Sequence, residues 1–254
     1  MKRVVKVGGR AQSDPAVIGA IASVVAAGDA VCLVHGGGDE VSVLQRRLGV
    51  EPKFIGGRRV TSADDLDVVR MVLSGTTNKR IVAQMITAGV RAVGVSGEDA
   101  GLFRAVVVDP QMGRVGGRVT VDSGLIDHLL AGGFVPIVSP LARDAGEHDG
   151  GGGLNVNGDD AAAALAAALR ADDLVLVADV AGVLDGDVVL ATLECADAKE
   201  LIERGVISGG MAAKLEAAEQ ALRGGVTSVR IAGVAGIGDV GAGTRVLSSP
   251  LPVR

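Results

Sequence analysis

The sequence predicts an α/β fold: an open, mainly parallel sheet sandwiched by helices (αβα), with one inserted β-hairpin. Three observations lead there. Short apolar runs of strand length alternate, from the first residues, with longer segments of helical periodicity. Their strand–helix–strand–helix order implies right-handed parallel units buried on both faces. The 48% hydrophobic content comes mainly from Ala, Val, Leu and Ile, with aromatics at 1%, which suits helices packed on buried strands. At 254 residues the chain can bury one sizeable core, as one domain or as two lobes of a single fold, and no internal repeat divides it.

Val4, Val5 and Val7 surround Lys6 in the first strand, which Gly8-Gly9 ends. Asp14-Pro15 opens a helix, with Asp as N-cap and Pro at the first helical position. Ile18, Ile21 and Val25 recur at helical spacing, and Gly28 stops the helix. Ala30 to His35 is a second strand, broken by Gly36-Gly37-Gly38, and a helix follows with Val41, Leu44 and Leu48 on one face. Ser62 with Asp65 reads as a capping box for a helix to about Leu73. Another helix runs from about Asn78 to Ala88, before a strand at Ala92 to Val95. Val106–Val108 and Val115–Val121 flank a turn-rich segment, Asp109 to Gly113, and form the predicted hairpin. Helix Ser123–Ala131 ends at Gly132, and strand Phe134–Ser139 is stopped by Pro140. Arg143 to Gly153 is polar and glycine-rich, hence a loop. An Ala-rich helix (Asp159–Arg170), a strand (Leu174–Ala178), helices near Asp197–Glu203 and Met211–Arg223, and a strand near Val229–Ile231 complete the series.

Composition excludes several function classes. A net charge of −5 leaves no basic footprint for DNA or RNA, and scarce aromatics leave no platform for stacking bases. Cys32 and Cys195 make neither a disulfide framework nor a CxxC metal pair, and Cys32 reads as a buried thiol. No signal peptide and no apolar span of about 18 residues is present, so a soluble, reduced, cytoplasmic protein with no membrane partner is expected.

Several segments carry chemistry. Lys6 sits in a strand apolar on both sides, where burial is costly without an anionic partner. Gly8-Gly9 follows at once, offering bare N–H groups to an anion. The bland alternative is an edge-strand lysine reaching water. Gly36-Gly37-Gly38 repeats the arrangement before a helix, a ready anion site, whereas a tight turn alone rarely needs three glycines. His35 beside them reads as structural. Arg58-Arg59 could clamp a carboxylate with paired hydrogen bonds, or be two surface arginines. Asn155-Val156-Asn157-Gly158-Asp159 either caps the Ala-rich helix or gathers polar groups at a ligand. Lys214 follows Gly209-Gly210-Met211 in the first helical turn, where the macrodipole disfavours cations unless an anion binds; an exposed lysine is the alternative. Gly236 to Gly241 matches GxGxxG, but too little chain follows for a dinucleotide fold, so it reads as a loop. Neither a GxxxxGK[ST] phosphate loop nor a protein-kinase signature occurs.

Taken in order, these segments resemble the amino acid kinase superfamily, and within it the N-acetylglutamate kinases. The matching pieces are Lys6-Val-Gly-Gly9, Val34-His-Gly-Gly-Gly38, Arg59-Val-Thr61 and Gly75-Thr-Thr-Asn-Lys79, then Asn155 to Asp159, Ala178 to Leu184, Gly210 to Lys214 and Gly243 to Val246. The resemblance spans essentially the whole chain. It implies a two-substrate kinase taking ATP with Mg²⁺, the metal carried by the nucleotide and held by no protein site. Lys6 and Lys214 would stabilise the transferring phosphoryl group, with Asp159 holding both. Gly8, Gly37 and Gly38 would donate N–H bonds near the reacting groups, with Gly9 beside them on the ATP side. Arg59 and Asn155 would bind the amino-acid end of N-acetyl-L-glutamate. Asp179, Val180, Gly182, Leu184, Val206, Ile207 and Ser208 would line the nucleotide site. Residues 1–170 would be the lobe for substrate binding and dimerisation, and 171–254 the lobe for ATP. Superfamily members inhibited by arginine carry an additional N-terminal helix. Here the first strand begins within a few residues of Met1, and the resemblance then implies an arginine-insensitive homodimer. Asp99 to Gly117 matches only loosely, and so leaves open a sister kinase for carrier-linked glutamate or aminoadipate, or for N-succinylglutamate. A non-catalytic nucleotide or amino-acid sensor on the same fold is the rival of another class; it would be favoured by loss of either lysine, and both are present.

Overall fold

The computed structural model describes residues 1–146 and 152–248. The chain opens with β1 (Lys2–Val7), α1 (Pro15–Ala26), β2 (Ala30–His35) and α2 (Gly38–Arg47), as the sequence predicts. The Asp14 carboxylate accepts the Ala16 N–H at 2.9 Å and so starts α1, while Pro15 occupies the first helical position. Leu48, expected on the apolar face of α2, is instead its exposed C-cap, since the helix ends one residue earlier. Two short strands the sequence did not signal, β3 (Phe54–Ile55) and β4 (Arg58–Arg59), form a hairpin.

Both bonds of the Ser62–Asp65 capping box form at the start of α3 (Ala63–Arg70). The break expected between this helix and α4 (Asn78–Thr87) is absent: Met71–Thr77 joins them as a π-helical stretch. π-helical turns inside longer helices are often found at functional sites. The chain continues through β5 (Ala92–Ser96), β6 (Phe103–Val107), β7 (Val115–Val121), α5 (Gly124–Ala131), β8 (Val135–Ser139), β9 (Leu141–Asp144) and β10 (Gly153–Val156). The predicted hairpin is β6–β7, but β9 and β10 complete it as a four-stranded barrel in the order β10-β7-β6-β9. Arg143, Asp144 and Gly153 are therefore strand ends, not the loop expected from composition; residues 147–151 of that segment lie outside the described residues.

The remaining elements are α6 (Gly158–Ala168), β11 (Asp173–Val177), β12 (Leu184–Asp185), β13 (Val188–Val189), β14 (Thr192–Glu194), α7 (Cys195–Glu203), α8 (Gly209–Arg223), β15 (Ser228–Ala232) and β16 (Thr244–Leu247). Strands β12 to β14 and β16 were not legible as strands, being only two to four residues long. The GxGxxG decoy is a 3₁₀ turn (Val234–Ile237) and the loop after it.

Eight strands form one sheet in the order β14-β16-β15-β11-β1-β2-β8-β5, parallel except between β15 and β16. Strands β5, β8, β2 and β1 come from residues 1–170, and β11, β15, β16 and β14 from residues 171–254; they meet at the β1–β11 ladder. Side chains alternate across this sheet with period two. Val4, Val34, Leu174 and Leu176 join the core under α6 and α8, while Val5, Val7, Leu33, Val175 and Val177 face α1 and α4. Ala161, Ala162, Ala163, Leu165 and Ala166 of α6 are all fully buried, so this helix is apolar all round. Its small side chains admit the sheet on one side and α8 on another. Cys32 is buried in the same core, as expected.

Candidate active site

The C-terminal ends of β1, β2 and β11 converge, and both glycine loops lie there. In open α/β sheets this edge is where ligands bind. The loops touch: a Cβ built on Gly36 would lie 3.3 Å from Gly8 Cα. A Cβ on Gly8 would lie 2.7 Å from Lys6 Nζ, and one on Gly37 (φ +145°) would lie 2.5 Å from Leu73 Cδ2. Glycine is required at these two positions by close approach, and at Gly37 by backbone conformation as well.

Lys6 lies on the central strand β1, beside Val34 on β2 and Leu176 on β11, so the edge-strand alternative is excluded. Its ammonium group meets Asp159 Oδ1 at 3.0 Å. Lys214 reaches the same carboxylate at 3.1 Å and 3.3 Å. The three residues come from β1, α6 and α8 and are largely buried, with side-chain exposures of 9%, 6% and 13%. Lys214 falls in the second turn of α8 and not in the first as the sequence predicts, because that helix starts at Gly209 after the cap Ser208. The macrodipole argument for an anion beside it therefore weakens, since that field fades beyond the first turn. Burial, followed by the Lys6 charge, lowers the Lys214 pKa against the opposing pull of Asp159. For Asp159, burial alone would raise the carboxyl, but Lys6 and Lys214 outweigh it and hold it below the usual range.

Asn157 sets the position of this carboxylate. Its side-chain oxygen accepts the Asp159 N–H at 2.8 Å and the Asp160 N–H at 3.4 Å, fixing the first turn of α6. The capping alternative considered for this segment is thus real for Asn157, while Asn155 and Asp159 face the clefts.

Two clefts meet at this point. One, of about 180 Å³, is lined by Gly36, Gly37 and Gly38, by Arg58 and Arg59, and by Asn155 and Gly158, with Val41, Phe54, Val69 and Leu73 among the apolar residues of its wall. The other, of about 380 Å³, is lined by Lys6, Gly8, Gly9, Asp159, Asp179, Val180, Gly210, Met211 and Lys214. Lys6 divides them, since a Cβ on Gly158 would lie 3.2 Å from its Cε.

Arg59 is no surface arginine: it is 7% exposed. Its guanidinium donates to the Gln45 side chain, to Gly38 O at 2.6 Å and to Ser42 Oγ at 2.7 Å, and stacks 4.8 Å from the Phe54 ring centroid. Asn155 Nδ2 donates to Thr61 Oγ1 at 3.1 Å. Gln45 and Ser42 carry no sequence signal beyond their spacing on one face of α2, and Thr61 enters from sequence only as the end of the matched Arg59–Thr61 piece.

The nucleotide set expected from resemblance divides. Asp179 and Val180 line the larger cleft with Gly8 and Gly9; Gly182, Leu184, Val206, Ile207 and Ser208 do not. Ile207 packs in the apolar core, leaving only its backbone to a ligand, whereas Leu184, Val206 and Ser208 are exposed. Gly182 has a packing role: a Cβ there would lie 2.7 Å from Val189 Cγ1 and 2.8 Å from Thr244 Oγ1. Thr244 in turn accepts the Val183 N–H at 2.8 Å and donates to Leu190 O at 2.7 Å, which accounts for the Gly243–Val246 segment.

Residues 1–233 match the model of the amino acid kinase family. An acetylglutamate kinase of Chloroflexus aurantiacus is 43% identical over 242 residues, covering 94% of each chain. One from Methanopyrus kandleri is 42% identical over 245 residues, covering 92% of this chain and 96% of the relative. A solved chain from Streptococcus mutans UA159 superposes with a TM-score of 0.86 at 30% identity, covering 96% of this chain and 98% of its own. A carbamate kinase of Giardia lamblia shares the fold, with a TM-score of 0.70 at 16% identity over 98% of both chains. With its central lysine pair, its two glycine loops and its matched sequence, this chain belongs to the amino acid kinase family.

Proposed function

We propose that this chain phosphorylates the side-chain carboxylate of N-acetyl-L-glutamate with ATP, forming N-acetyl-L-glutamyl 5-phosphate in the second step of arginine biosynthesis. One observation carries the reading: Lys6 and Lys214 share Asp159 at the junction of two clefts. The glycine-loop cleft would take the acceptor and the larger one the nucleotide. The relatives named acetylglutamate kinase support the choice of acceptor.

A carboxylate is a competent nucleophile at neutral pH, so no general base is required. Catalysis of in-line transfer is then positioning and neutralisation of charge on the equatorial oxygens. Lys6 and Lys214 supply the positive charge, with Asp159 spacing them. Gly8, Gly37 and Gly38 supply N–H donors, Gly37 and Gly38 from the start of α2, where the first N–H groups have no intrahelical partner. Arg59 and Asn155 hold the amino-acid end of the acceptor. Asp179 and Val180 hold the nucleotide, with Gly9 beside them and Gly182, Leu184 and Val206 to Ser208 toward its base.

Among the described residues no group of three His, Cys, Asp or Glu side chains is placed to hold a metal. On this reading Mg²⁺ arrives on the ATP phosphates, a common mode for this ion. No described helix is long and apolar enough to cross a membrane. A cytoplasmic homodimer is the assembly we propose, to be checked by light scattering.

The test is a coupled ADP-release assay with free glutamate, N-acetylglutamate and N-succinylglutamate, with hydroxylamine trapping of the acyl phosphate. Turnover of N-acetylglutamate, dependent on added Mg²⁺, is expected. Turnover of free glutamate alone would reject the assignment.

A further inference from the structure

We propose that His35 and Asn78 are positioning residues that set the peptide plane between Gly36 and Gly37, and thereby aim the Gly37 N–H at the acceptor cleft. The inference rests on the reading of that cleft given above, and concerns groups to which nothing so far assigns a part in the reaction.

His35 and Asn78 are both fully buried. His35 Nδ1 lies 2.7 Å from Gly36 O. A carbonyl oxygen only accepts, so Nδ1 carries the proton. Asn78 Nδ2 lies 3.1 Å from His35 Nε2 and 2.8 Å from Ile137 O, and Lys79 Nζ lies 3.1 Å from Asn78 Oδ1. A carbonyl on one side and an ammonium group on the other fix which end of the amide faces which way. Of the three acceptors facing Nδ2, Ile137 O and Nε2 are nearer than Val95 O at 3.5 Å and take its two N–H groups, so Asn78 donates to Nε2 and that nitrogen is bare. Each link requires the same single tautomer.

The consequence falls on the loop. The Gly36 N–H is already bonded to Val7 O at 2.8 Å, and Gly37 O accepts the Val41 N–H at 3.0 Å. In a planar trans peptide the C=O and the following N–H point in opposite directions. With Gly36 O turned toward His35, the Gly37 N–H must point away from the ring, on the side where Gly36, Gly37 and Gly38 line the cleft. Gly37, at φ +145°, lacks the steric restraint a side chain would give, so the restraint must come from a neighbour. Asn78 can serve because the π-helical stretch Met71–Thr77 delivers it to the underside of the loop.

The ring is kept neutral by its surroundings. Burial is the main cause and lowers the His35 pKa to about 4; the Gly36 bond and Glu40 on α2 pull it up, while Arg80 and Lys79 on α4 push it down.

Two measurements test this on the whole chain. In ¹⁵N-histidine spectra at neutral pH, the signal lost in His35→Asn should show Nδ1 protonated and Nε2 bare; the opposite tautomer overturns the proposal. This readout needs no substrate, so it is separate from whether wild type turns over N-acetylglutamate. In kinetics, His35→Leu should lower kcat by ~10- to 100-fold with KM for ATP within about twofold, and His35→Asn, which keeps an amide N–H near the Nδ1 position, should recover most of it. Asn78→Asp guards against misfolding of the leucine variant. Its carboxylate draws the proton to Nε2 and releases Gly36 O, so kcat should drop at neutral pH and recover toward acid, where the ring holds both protons. Wild-type kcat in His35→Leu, or a wild-type pH profile in Asn78→Asp, refutes the positioning role.

Discussion

Replacing Asp159 by Asn keeps the size of the side chain and removes its charge. Lys6 and Lys214 both lie about 3 Å from Asp159 Oδ1, so their ammonium groups are at most about 6 Å apart. With an effective dielectric near 20, two unit charges at that separation repel by roughly 3 kcal/mol. In the wild type one buried carboxylate offsets this. In Asp159→Asn the pair must separate or one lysine must lose its proton, and either change removes a charge from the phosphoryl site. Since about 1.4 kcal/mol is a factor of ten in rate, kcat should fall by on the order of a hundredfold. The Lys214 pKa, already lowered by burial and by Lys6, should drop further without Asp159. Residual activity should then rise as pH falls, in contrast to wild type. The assay is ADP release from pH 6 to 9 with saturating ATP, with circular dichroism to verify folding. A folded Asp159→Asn enzyme retaining kcat within twofold of wild type would refute the claim that this carboxylate holds the lysine pair.

Further expectations concern the same frame. Lys6→Ala and Lys214→Ala should each lower kcat by a factor on the order of hundreds with smaller changes in KM, as seen by steady-state kinetics. Arg59→Lys should raise KM for the acceptor about tenfold or more while sparing KM for ATP, because an ammonium cannot reproduce the bonds to Gln45, Gly38 and Ser42 together with the stack on Phe54. At the opposite end of the sheet, Asp173 pairs with Arg3 at 3.1 Å and with Arg230 at 2.7 Å, all nearly fully buried. Asp173→Asn should cost about 3 kcal/mol in urea denaturation, since it leaves the buried Arg230 without a carboxylate and Arg3 with Asp29 alone. Stability should also fall on the acid side. A histidine whose folded pKa is about 4 against an ordinary 6.5 resists protonation only when folded, so its contribution is complete above 6.5 and is lost as pH falls from 6.5 to 4. Over that window wild type should lose up to about 3 kcal/mol more than His35→Asn, measured by denaturant melts at each pH.

Much of the frame was legible locally. The apolar run with Lys6 inside it, the Asp14-Pro15 start and the Ser62–Asp65 box are properties of a few consecutive residues, and each stands where the sequence predicts. The glycine loops were legible for the same reason: a chain that places bare backbone at two successive strand ends leaves a mark in composition. The join of α3 to α4 was not, because Gly75 and the threonines after it weaken helical propensity, and tertiary packing against α2, β5, β8 and the Gly37 loop holds them in a π-helical path. Composition likewise misread Arg143, Asp144 and Gly153, where pairing with β6 and between β9 and β10 makes strand ends of the barrel from residues that look like loop.

By itself the sequence determined which groups are chemically out of place: a lysine in an apolar strand, three glycines before a helix, an aspartate at a helix start. Such anomalies are costs that a short segment carries wherever it goes. Only the tertiary structure decided what offsets them. Lys6 and Lys214 are more than 200 positions apart, and the partner of both is a carboxylate on a third element. Arg59 is committed through Gln45 and Ser42, and His35 through Asn78. Charge and hydrogen-bond complementarity act over a few ångströms in space, and the distance between residues along the chain does not fix that.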